Sequence, residues 1–268
     1  LWTASASVLE RTLRLDADAL AEVLALRRAF DPEQERHALR QRDITFIADD
    51  DAGWSGRLAE IPDPPFGLFV QGSDCDVTLP AQPVIAIVGS RRPTTFGMGF
   101  ARDLARSLAS RGAMVVSGLA LGIDAEAHAG ALDVDRPTLA VLGAGVDVSS
   151  PRRNDALRGA ILAHGAVLSE YWPGTAPAPW RFPARNRIIA GLALACVVVE
   201  AGERSGALIT ASCALEEGRD VLAVPGPITS GQSVGAHRLI AAGAALATSA
   251  DDVLAVLDLD RRTADSDA

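Results

Sequence analysis

Three arginines and two aromatic residues lie in the eight-residue stretch WRFPARNR, residues 180–187. Guanidinium groups hydrogen-bond to phosphate oxygens, and aromatic rings stack on unpaired bases. The whole chain is acidic, with a formal net charge of -9, so the positive charge of this segment is a local feature. The segment therefore indicates a basic groove for single-stranded nucleic acid. The alternative is a proline-rich loop whose aromatic residues, such as Trp172 and Phe182, fold onto the domain itself.

From residue 84 onward, apolar segments alternate with helical patterns and predict a doubly wound, mostly parallel α/β sheet. The predicted strands span residues 84–89, 113–118, 138–143, 166–170, 196–201 and 221–226. The predicted helices span residues 97–111, 122–133, 154–164, 184–193 and 207–217. Parallel sheets bind ligands at the carboxyl ends of their strands, so the segments that follow the strands form the candidate site.

Glycine, serine, threonine and arginine dominate those segments, as in GSRRPTTFG (89–97), SGLALGID (117–124) and EAGERSGALIT (200–210). Such segments bind anions through backbone N–H groups and helix N-termini. Several also carry arginine side chains, namely Arg91, Arg92, Arg152, Arg153, Arg185, Arg187 and Arg204. A single glycine-rich turn after a strand is a simple tight turn about as often as it is an anion-binding loop. Several such turns at one edge of the sheet favour an anion site.

Motifs of common enzymes are missing from the sequence. It has no GxxxxGK[ST] P-loop, no GxSxG around its strand-end serines and no HExxH-like spacing, and the loop after the first strand lacks GxGxxG. Carboxylates at strand ends are interpreted as helix caps and arginine partners rather than acid–base catalysts; they are Asp124, Asp147, Glu170 and Glu200. We therefore expect a binding protein without catalysis, metal or cofactor.

The three cysteines, Cys75, Cys196 and Cys213, form no CxxC motif, and Cys196 is predicted to be a small buried thiol. No apolar run is long enough to span a bilayer, and the N-terminus lacks a signal-peptide pattern. A cytoplasmic protein without membrane contact is expected.

Four regions are predicted along the chain. Residues 1–48 carry apolar residues at helical spacing and form a small helical region. Residues 49–83 are a proline-rich linker with an edge strand, and residues 84–258 are the main domain. Residues 259–268 are a polar, frayed tail.

Six motifs occur in the order and spacing of the DNA-processing protein A (DprA/Smf) family, which the sequence resembles over about residues 44–247. They are IVGSRRPTTFG, SGLALGIDAEAH, AVLGAGVDVSSPRRN, FPARNRIIAGL, VVVEAGERSGALITASCALEEGRDVLAVPG and GAHRLIAAGA. The resemblance implies an extended Rossmann-like domain that binds single-stranded DNA and forms a homodimer. It also implies that the protein protects incoming DNA and helps load the RecA recombinase in natural transformation.

The resemblance also implies a set of DNA-binding residues. They are Gly89, Ser90 and Arg91, with Arg92 in the same turn, and Phe182, Arg185, Asn186 and Arg187. From strand topology we add residues that would line the same edge through backbone donors: Ser117, Gly118, Ser205 and Gly206.

The sequence departs from the family pattern in a few places. Many relatives have Tyr-Pro where this chain has Ser150-Pro151, and Asn where it has His237. Both differences are expected to alter local contacts without removing the groove. The N-terminal helices resemble a trimmed SAM-like domain, and the winged-helix-like C-terminal domain of many members is expected to be absent.

Two other functions stay open. The first is a nucleotide-binding or nucleotide-hydrolysing enzyme or sensor, because related Rossmann-like phosphoribohydrolases share this fold. Those enzymes carry PGGxGT after a strand, whereas PGPITSG follows the sixth strand here, which counts against hydrolysis. The second is a scaffold that binds a protein partner through the Ala-rich helices GALITASCALEEG and AHRLIAAGAAL.

Overall fold

The computed structural model of this protein describes residues 4–51, 54–72 and 82–264, with side chains as far as residue 257. The chain divides into two compact units, Leu1–Asp43 and Ile44–Ala268. The predicted boundary at residue 48 falls later than this division, because residues 44–48 form a strand of the large unit. Cys75 and the rest of residues 73–81 lie outside the described residues.

The small unit contains three helices, α1 (Ala6–Leu13), α2 (Ala17–Ala29) and α3 (Pro32–Arg40). Each begins after a residue whose side-chain oxygen accepts a backbone N–H of the first turn, as Asp16 does from Ala19 at 2.8 Å. Such caps satisfy N–H groups that have no partner within the helix, and each stabilises its helix by about 1 kcal/mol. The helices that the spacing of apolar residues predicted in this region are present, and each is short and capped.

The large unit is built on one sheet. Its strands are β1 (Ile44–Ala48), β2 (Gly67–Gly72), β3 (Val84–Val88), β4 (Met114–Ser117), β5 (Thr138–Val141), β6 (Ala166–Ser169), β7 (Ala195–Val198), β8 (Asp220–Ala223) and β9 (Ala245–Leu246). They are arranged in the order β1-β2-β6-β5-β4-β3-β7-β8-β9. β1 and β2 pair antiparallel, as do β2 and β6, and the other neighbours are parallel. The predicted mostly parallel α/β sheet is confirmed.

Helices connect the strands. They are α4 (Gly56–Ala59), α5 (Thr95–Ser110), α6 (Ile123–Leu132), α7 (Asp155–His164), α8 (Arg181–Leu192), α9 (Gly206–Glu216), α10 (Val234–Ala241) and α11 (Ala250–Ala264). The helix predicted from residue 184 begins earlier, at Arg181, so it includes Phe182 in its first turn. β2 is not an edge strand, because β1 covers its outer side. The tail predicted from residue 259 is also different, since α11 continues to Ala264.

Apolar residues cover both faces of the sheet. Along β3, Val84, Ala86 and Val88 contribute to the core layer that contains α8 and α9. Ile85 and Ile87 contribute to the opposite layer, with α5 and α6. Successive side chains of a strand point to opposite faces, so a strand buried on both sides reads as a continuous apolar run. Within the described residues, no helix is both long and apolar enough to cross a membrane.

The order of the strands reverses at β3. From β3 the chain runs outward through β4, β5 and β6, and it then returns through α8 to place β7 on the other side of β3. Loops that leave β3 and β7 at their carboxyl ends therefore diverge and open a crevice. In open α/β sheets this reversal point is where ligands bind.

Candidate nucleic-acid interface

An open cavity of about 750 Å³, here called the main cavity, lies at the carboxyl ends of the central strands. Its walls come from the segments that follow β3, β4 and β7 and from the first turns of α8 and α9. Nine of the twelve predicted site residues line it: Gly89, Ser90, Arg91, Arg92, Phe182, Arg185, Asn186, Ser205 and Gly206. The fold thus joins segments that are far apart in the sequence.

Three exposed arginines line the main cavity, namely Arg91, Arg92 and Arg204. Among the described residues, none of the three has a carboxylate within 4.0 Å, whereas Arg187 and Arg238 do. The Arg91 guanidinium carbon lies 5.2 Å from the centre of the Phe182 ring, a distance that allows a cation–π contact. Within the described residues, therefore, no salt bridge holds these three guanidinium groups.

The first turn of α9 adds backbone donors to this charge. The Ser205 hydroxyl accepts the N–H of Ala207 at 3.3 Å and so caps the helix. The N-terminus of a helix carries partial positive charge, and its first N–H groups point away from the helix. Ser205 and Gly206 therefore bring the positive end of α9 into the same wall as Arg204.

Arg185 is a buried cation in the floor of the main cavity, with only 4% of its surface exposed. Its Nη1 donates to the carbonyl oxygens of Gly118, at 3.0 Å, and Val141. Its Nε donates to Asn186 Oδ1 at 3.2 Å. Burial lowers the pKa of Arg185 to about 10, which still leaves it charged at neutral pH. A Cβ on Gly118 would lie 2.6 Å from Arg185 Nη2, so a larger residue at 118 would displace the guanidinium group from this position.

The segment 118–122 after β4 is held in one conformation from three sides. The buried carboxylate of Asp124 accepts the N–H groups of Gly118 at 3.1 Å and Ala120 at 3.4 Å. The Asn154 side-chain amide donates to the carbonyl oxygens of Leu119, at 2.9 Å, and Ala120, at 3.2 Å. Arg185 supplies the third contact, at Gly118. The backbone of this wall is therefore fixed before any ligand arrives.

The turn after β3 is fixed in a similar way. A Cβ on Gly89 would lie 2.6 Å from Ile123 Cγ1, so only glycine fits between β3 and α6. The Ser90 hydroxyl accepts the N–H of Arg92 at 3.0 Å. The buried carboxylate of Glu200 accepts from the N–H of Thr94 at 2.8 Å and from its hydroxyl at 2.5 Å, next to the start of α5. These contacts position the backbone that carries Arg91 and Arg92.

The other three predicted site residues lie outside the main cavity. Ser117 is fully buried, and its hydroxyl donates to the carbonyl oxygen of Ile87 at 2.6 Å. Gly118 lines a smaller adjoining cavity. Arg187 is held by Glu170 at 2.6 Å and by Asp63 at 2.8 Å. The geometry gives these residues structural roles, and their contact with DNA stays a prediction.

The aromatic residues of the loop before α8 lie in two groups. Trp172 packs edge-on against Phe69 of β2, with ring centres 5.0 Å apart, although 47% of its surface is exposed. The Arg181 guanidinium carbon lies 5.0 Å from the Tyr171 ring and 4.9 Å from the Trp180 ring, and Trp180 is 62% exposed. The loop therefore folds part of its aromatic surface onto the domain and leaves Trp180 open to solvent.

The strand-end carboxylates considered as catalysts have structural partners, and so does the buried His128. Glu200 holds Thr94, and Glu170 holds Arg187. Nδ1 of the buried His128 lies 2.8 Å from the Thr138 hydroxyl, and burial lowers the His128 pKa to about 3. Within the described ranges, His, Cys, Asp and Glu side chains form no group of three that could hold a metal ion. The expectation that the protein is not an enzyme stays a prediction.

The predicted set of DNA-binding residues lacks three residues that line the main cavity or hold its wall: Arg204, Asp124 and Asn154. Arg204 had the same signal as Arg91, an arginine in a strand-end segment, but it was left out of the predicted set. Asp124 was interpreted as a cap, and it does accept backbone N–H groups in the cavity wall, where burial raises its pKa. Asn154 gave no sequence signal, because its partners lie more than thirty residues away along the chain.

Residues 45–258 match the family described as DNA recombination-mediator protein A. The chain belongs to this family. The match covers all of the sheet except Ile44, the first residue of β1, and it covers the loops that build the main cavity. The predicted resemblance to the DprA/Smf family is therefore confirmed.

Individual members of the family agree with this assignment. The chain is 47% identical over 209 residues to DNA processing protein DprA of Streptococcus pneumoniae, covering 78% of this chain and 72% of that protein. The X-ray structure of the S. pneumoniae protein superposes with a TM-score of 0.79 and 41% identity, over 88% of this chain and 81% of that one. The chain is also 51% identical over 169 residues to the putative DNA processing protein DprA of Mycobacterium tuberculosis. These residues cover 63% of this chain and 43% of the M. tuberculosis protein.

The structure of a third family member is described in terms of the ligand that this protein binds. DNA processing protein A of Helicobacter pylori has a structure described as giving insight into its single-stranded DNA binding mode. It superposes with a TM-score of 0.71 and 27% identity, over 81% of this chain and 96% of that one.

Proposed function

We propose that this member of the DNA recombination-mediator protein A family binds single-stranded DNA in the main cavity. One observation carries the proposal: Arg91, Arg92 and Arg204 have no carboxylate partner among the described residues and surround one open cavity at the carboxyl edge of the sheet. Parallel sheets bind anions at this edge, and guanidinium forks match phosphate geometry. The single-stranded DNA binding of the H. pylori relative supports the proposal.

Phosphate contacts are expected to dominate the affinity. The exposed guanidinium groups and the start of α9 offer charge and N–H donors, and neither distinguishes one base from another. Exposed aromatic rings such as Trp180 stack on any base. Binding is therefore expected to depend steeply on salt and weakly on sequence.

A titration of fluorescently labelled oligo-dT at several salt concentrations tests this proposal. Each phosphate contact on a single strand contributes about 0.7 to the slope of log K against log salt. With three arginine contacts we expect a slope of about -2. Binding that does not change with salt, or no binding at all, would contradict the proposal.

We further propose that the protein forms a homodimer, protects incoming DNA and helps load the RecA recombinase. The family description as a recombination mediator supports the last role. Support for self-association comes from β9, which ends the sheet and pairs only with β8 among the described residues. Leu246 on this edge strand is 50% exposed. An open strand edge with an exposed apolar side chain is a ready surface for pairing with another chain.

Replacing Leu246 with Asp is expected to shift the protein from dimer to monomer, because it places a charge on the edge strand that would pair. Analytical ultracentrifugation over a range of concentrations measures the shift. Ile228→Asp is the matched control, since Ile228 is 90% exposed and lies outside β9. A dimer that survives Leu246→Asp but dissociates in the control would contradict the assignment of β9.

A further inference from the structure

The outer edge of β1 is open in the part of the chain that the structure describes. β1 ends the sheet and pairs only with β2 among those residues. Thr45 and Phe46 on this strand are exposed. An edge strand offers unpaired N–H and C=O groups, and an extended segment of another protein can add to it as a further strand. The edge of β1 is therefore a candidate surface for strand addition.

Phe46 presents a fixed aromatic ring on this strand. Its ring centre lies 4.8 Å from that of Phe69, the residue directly paired with it on β2, and 37% of its surface is exposed. A Cβ on Gly67 would overlap the Phe46 ring, so the ring lies over this glycine. Because neighbouring residues already hold the ring, packing a partner against it costs little entropy.

Three exposed carboxylates follow β1 directly: Asp49, Asp50 and Asp51. Asp51 accepts the N–H of Ala48 at 2.8 Å, which ties it to the end of the strand. Within the described ranges, no arginine or histidine lies within 4.0 Å of these three carboxylates. Three negative charges in consecutive positions repel phosphates and attract cations. The end of β1 therefore favours a basic partner over a nucleic acid.

Phe66 lies beside the first of these carboxylates. The N–H of Asp49 donates to the carbonyl oxygen of Phe66 at 3.1 Å, which extends the pairing of β1 with β2 beyond Ala48 and Gly67. The Phe66 side chain is 77% exposed. A guanidinium group can pair with a carboxylate through two hydrogen bonds and also stack on an aromatic ring. An exposed carboxylate beside an exposed ring therefore fits arginine better than lysine.

We propose that β1 and residues 49–51 bind an extended, arginine-bearing segment of a partner protein. The segment adds to the free edge of β1, where its apolar side chains contact Phe46, and its arginines lie at Asp49, Asp50 and Phe66. None of these residues lines the main cavity, so the inference goes beyond the proposed DNA site. A second copy of this chain fits less well, because its net charge is also negative.

Fluorescence anisotropy with labelled peptides tests this inference. The probes are TVTVRRR and its reverse, RRRVTVT, because a strand can add in either direction. Wild-type protein is expected to bind at least one of them, and to bind neither TVTVEEE nor EEEVTVT. Replacing the central threonine of the bound probe with proline is expected to weaken binding about two- to ten-fold, since strand addition depends on backbone hydrogen bonds.

Two variants test the residues of this surface. Asp49→Asn/Asp50→Asn is expected to weaken binding about five-fold, the usual effect of losing two exposed ion pairs. Phe66→Ser is expected to weaken it about three-fold through loss of the ring. The matched controls are Glu10→Gln/Glu22→Gln, which removes two exposed charges elsewhere, and Ile228→Ser, at a side chain that is 90% exposed. Both controls are expected to bind like the wild type.

Binding of neither basic peptide overturns the inference, as does equal weakening by the controls and their counterparts. Loss of a dimer in Phe66→Ser, measured by analytical ultracentrifugation, would assign the surface to a second copy and so overturn it too. Weaker binding of oligo-dT by Phe66→Ser would overturn it in favour of DNA. Binding of oligo-dT by wild-type protein is measured separately, so failure of the proposed function is distinct from failure of this inference.

Discussion

Replacement of both Arg91 and Arg204 with Ala is expected to lower the affinity for oligo-dT about 25-fold at 0.1 M salt. Each lost phosphate contact removes about 0.7 from the salt slope, which corresponds to about five-fold in affinity at 0.1 M relative to 1 M. The two side chains are exposed, line the same cavity and have no carboxylate partner among the described residues. Their effects are therefore expected to add, with little change in folding stability.

The salt titration with oligo-dT measures both the loss of affinity and the decrease in slope. For the double variant we expect a slope of about -0.7 where wild-type protein gives about -2. Arg238→Ala is the control, because Arg238 is also exposed but pairs with Glu203 at 2.6 Å and does not line the cavity. If the control weakens binding as much as the double variant does, the contribution of these arginines is only general charge, and the main cavity is not the site.

Replacement of Arg185 with Met is expected to lower the free energy of unfolding by about 3–5 kcal/mol, the usual cost of removing one charge from a buried polar cluster. The carbonyl oxygens of Gly118 and Val141 lose their donor. The buried carboxylate of Asp124, whose pKa burial raises and the charge of Arg185 lowers, loses that compensation. Urea unfolding followed by circular dichroism measures the change.

A second substitution separates the effect of the lost hydrogen bonds from the effect of the uncompensated charge on Asp124. Asp124→Asn keeps an oxygen for the N–H groups of Gly118 and Ala120 but removes the buried negative charge. In the Arg185→Met background it is expected to restore part of the lost stability, whereas alone it is expected to destabilise. Arg238→Met, at an exposed ion pair, is expected to change stability by less than about 1 kcal/mol. A loss of similar size for Arg185→Met and Arg238→Met would show that Arg185 has no special structural role.

The two predictions assign different roles to arginines that look alike in the sequence. Arg91 and Arg204 are exposed and are predicted to act on DNA, whereas Arg185 supports the wall of the cavity from a buried position. If an Arg185 variant loses DNA binding, its free energy of unfolding must also be measured, because a destabilised cavity wall would reduce binding by itself. Arg185→Lys, which keeps the charge but not the two-carbonyl geometry, is the informative comparison.

Strands, helices and the edge of the sheet that carries the main cavity were predictable from the sequence. Continuous apolar runs such as VIAIV predicted strands buried on both faces, and the structure places alternate residues of β3 in two core layers. This prediction succeeds because the periodicity of side chains is a property of the local backbone. Glycine, serine and arginine after several strands likewise indicated the edge where the main cavity lies, since the carboxyl ends of parallel strands share one edge.

Only the tertiary structure decided which of the predicted arginines are exposed in the main cavity and which are held by other residues of the chain. Arg185 and Arg187 are two residues apart on α8, yet one is buried among backbone carbonyls and the other is paired with Glu170 and Asp63. Asp63 is 124 residues away from Arg187 along the chain, and Asn154 reaches the segment after β4 from a separate turn. An arginine that is paired with a carboxylate or carbonyl oxygen from a distant segment is not available to a ligand. A sequence shows the arginines of this protein, but the folding of remote segments onto them determines which ones stay exposed.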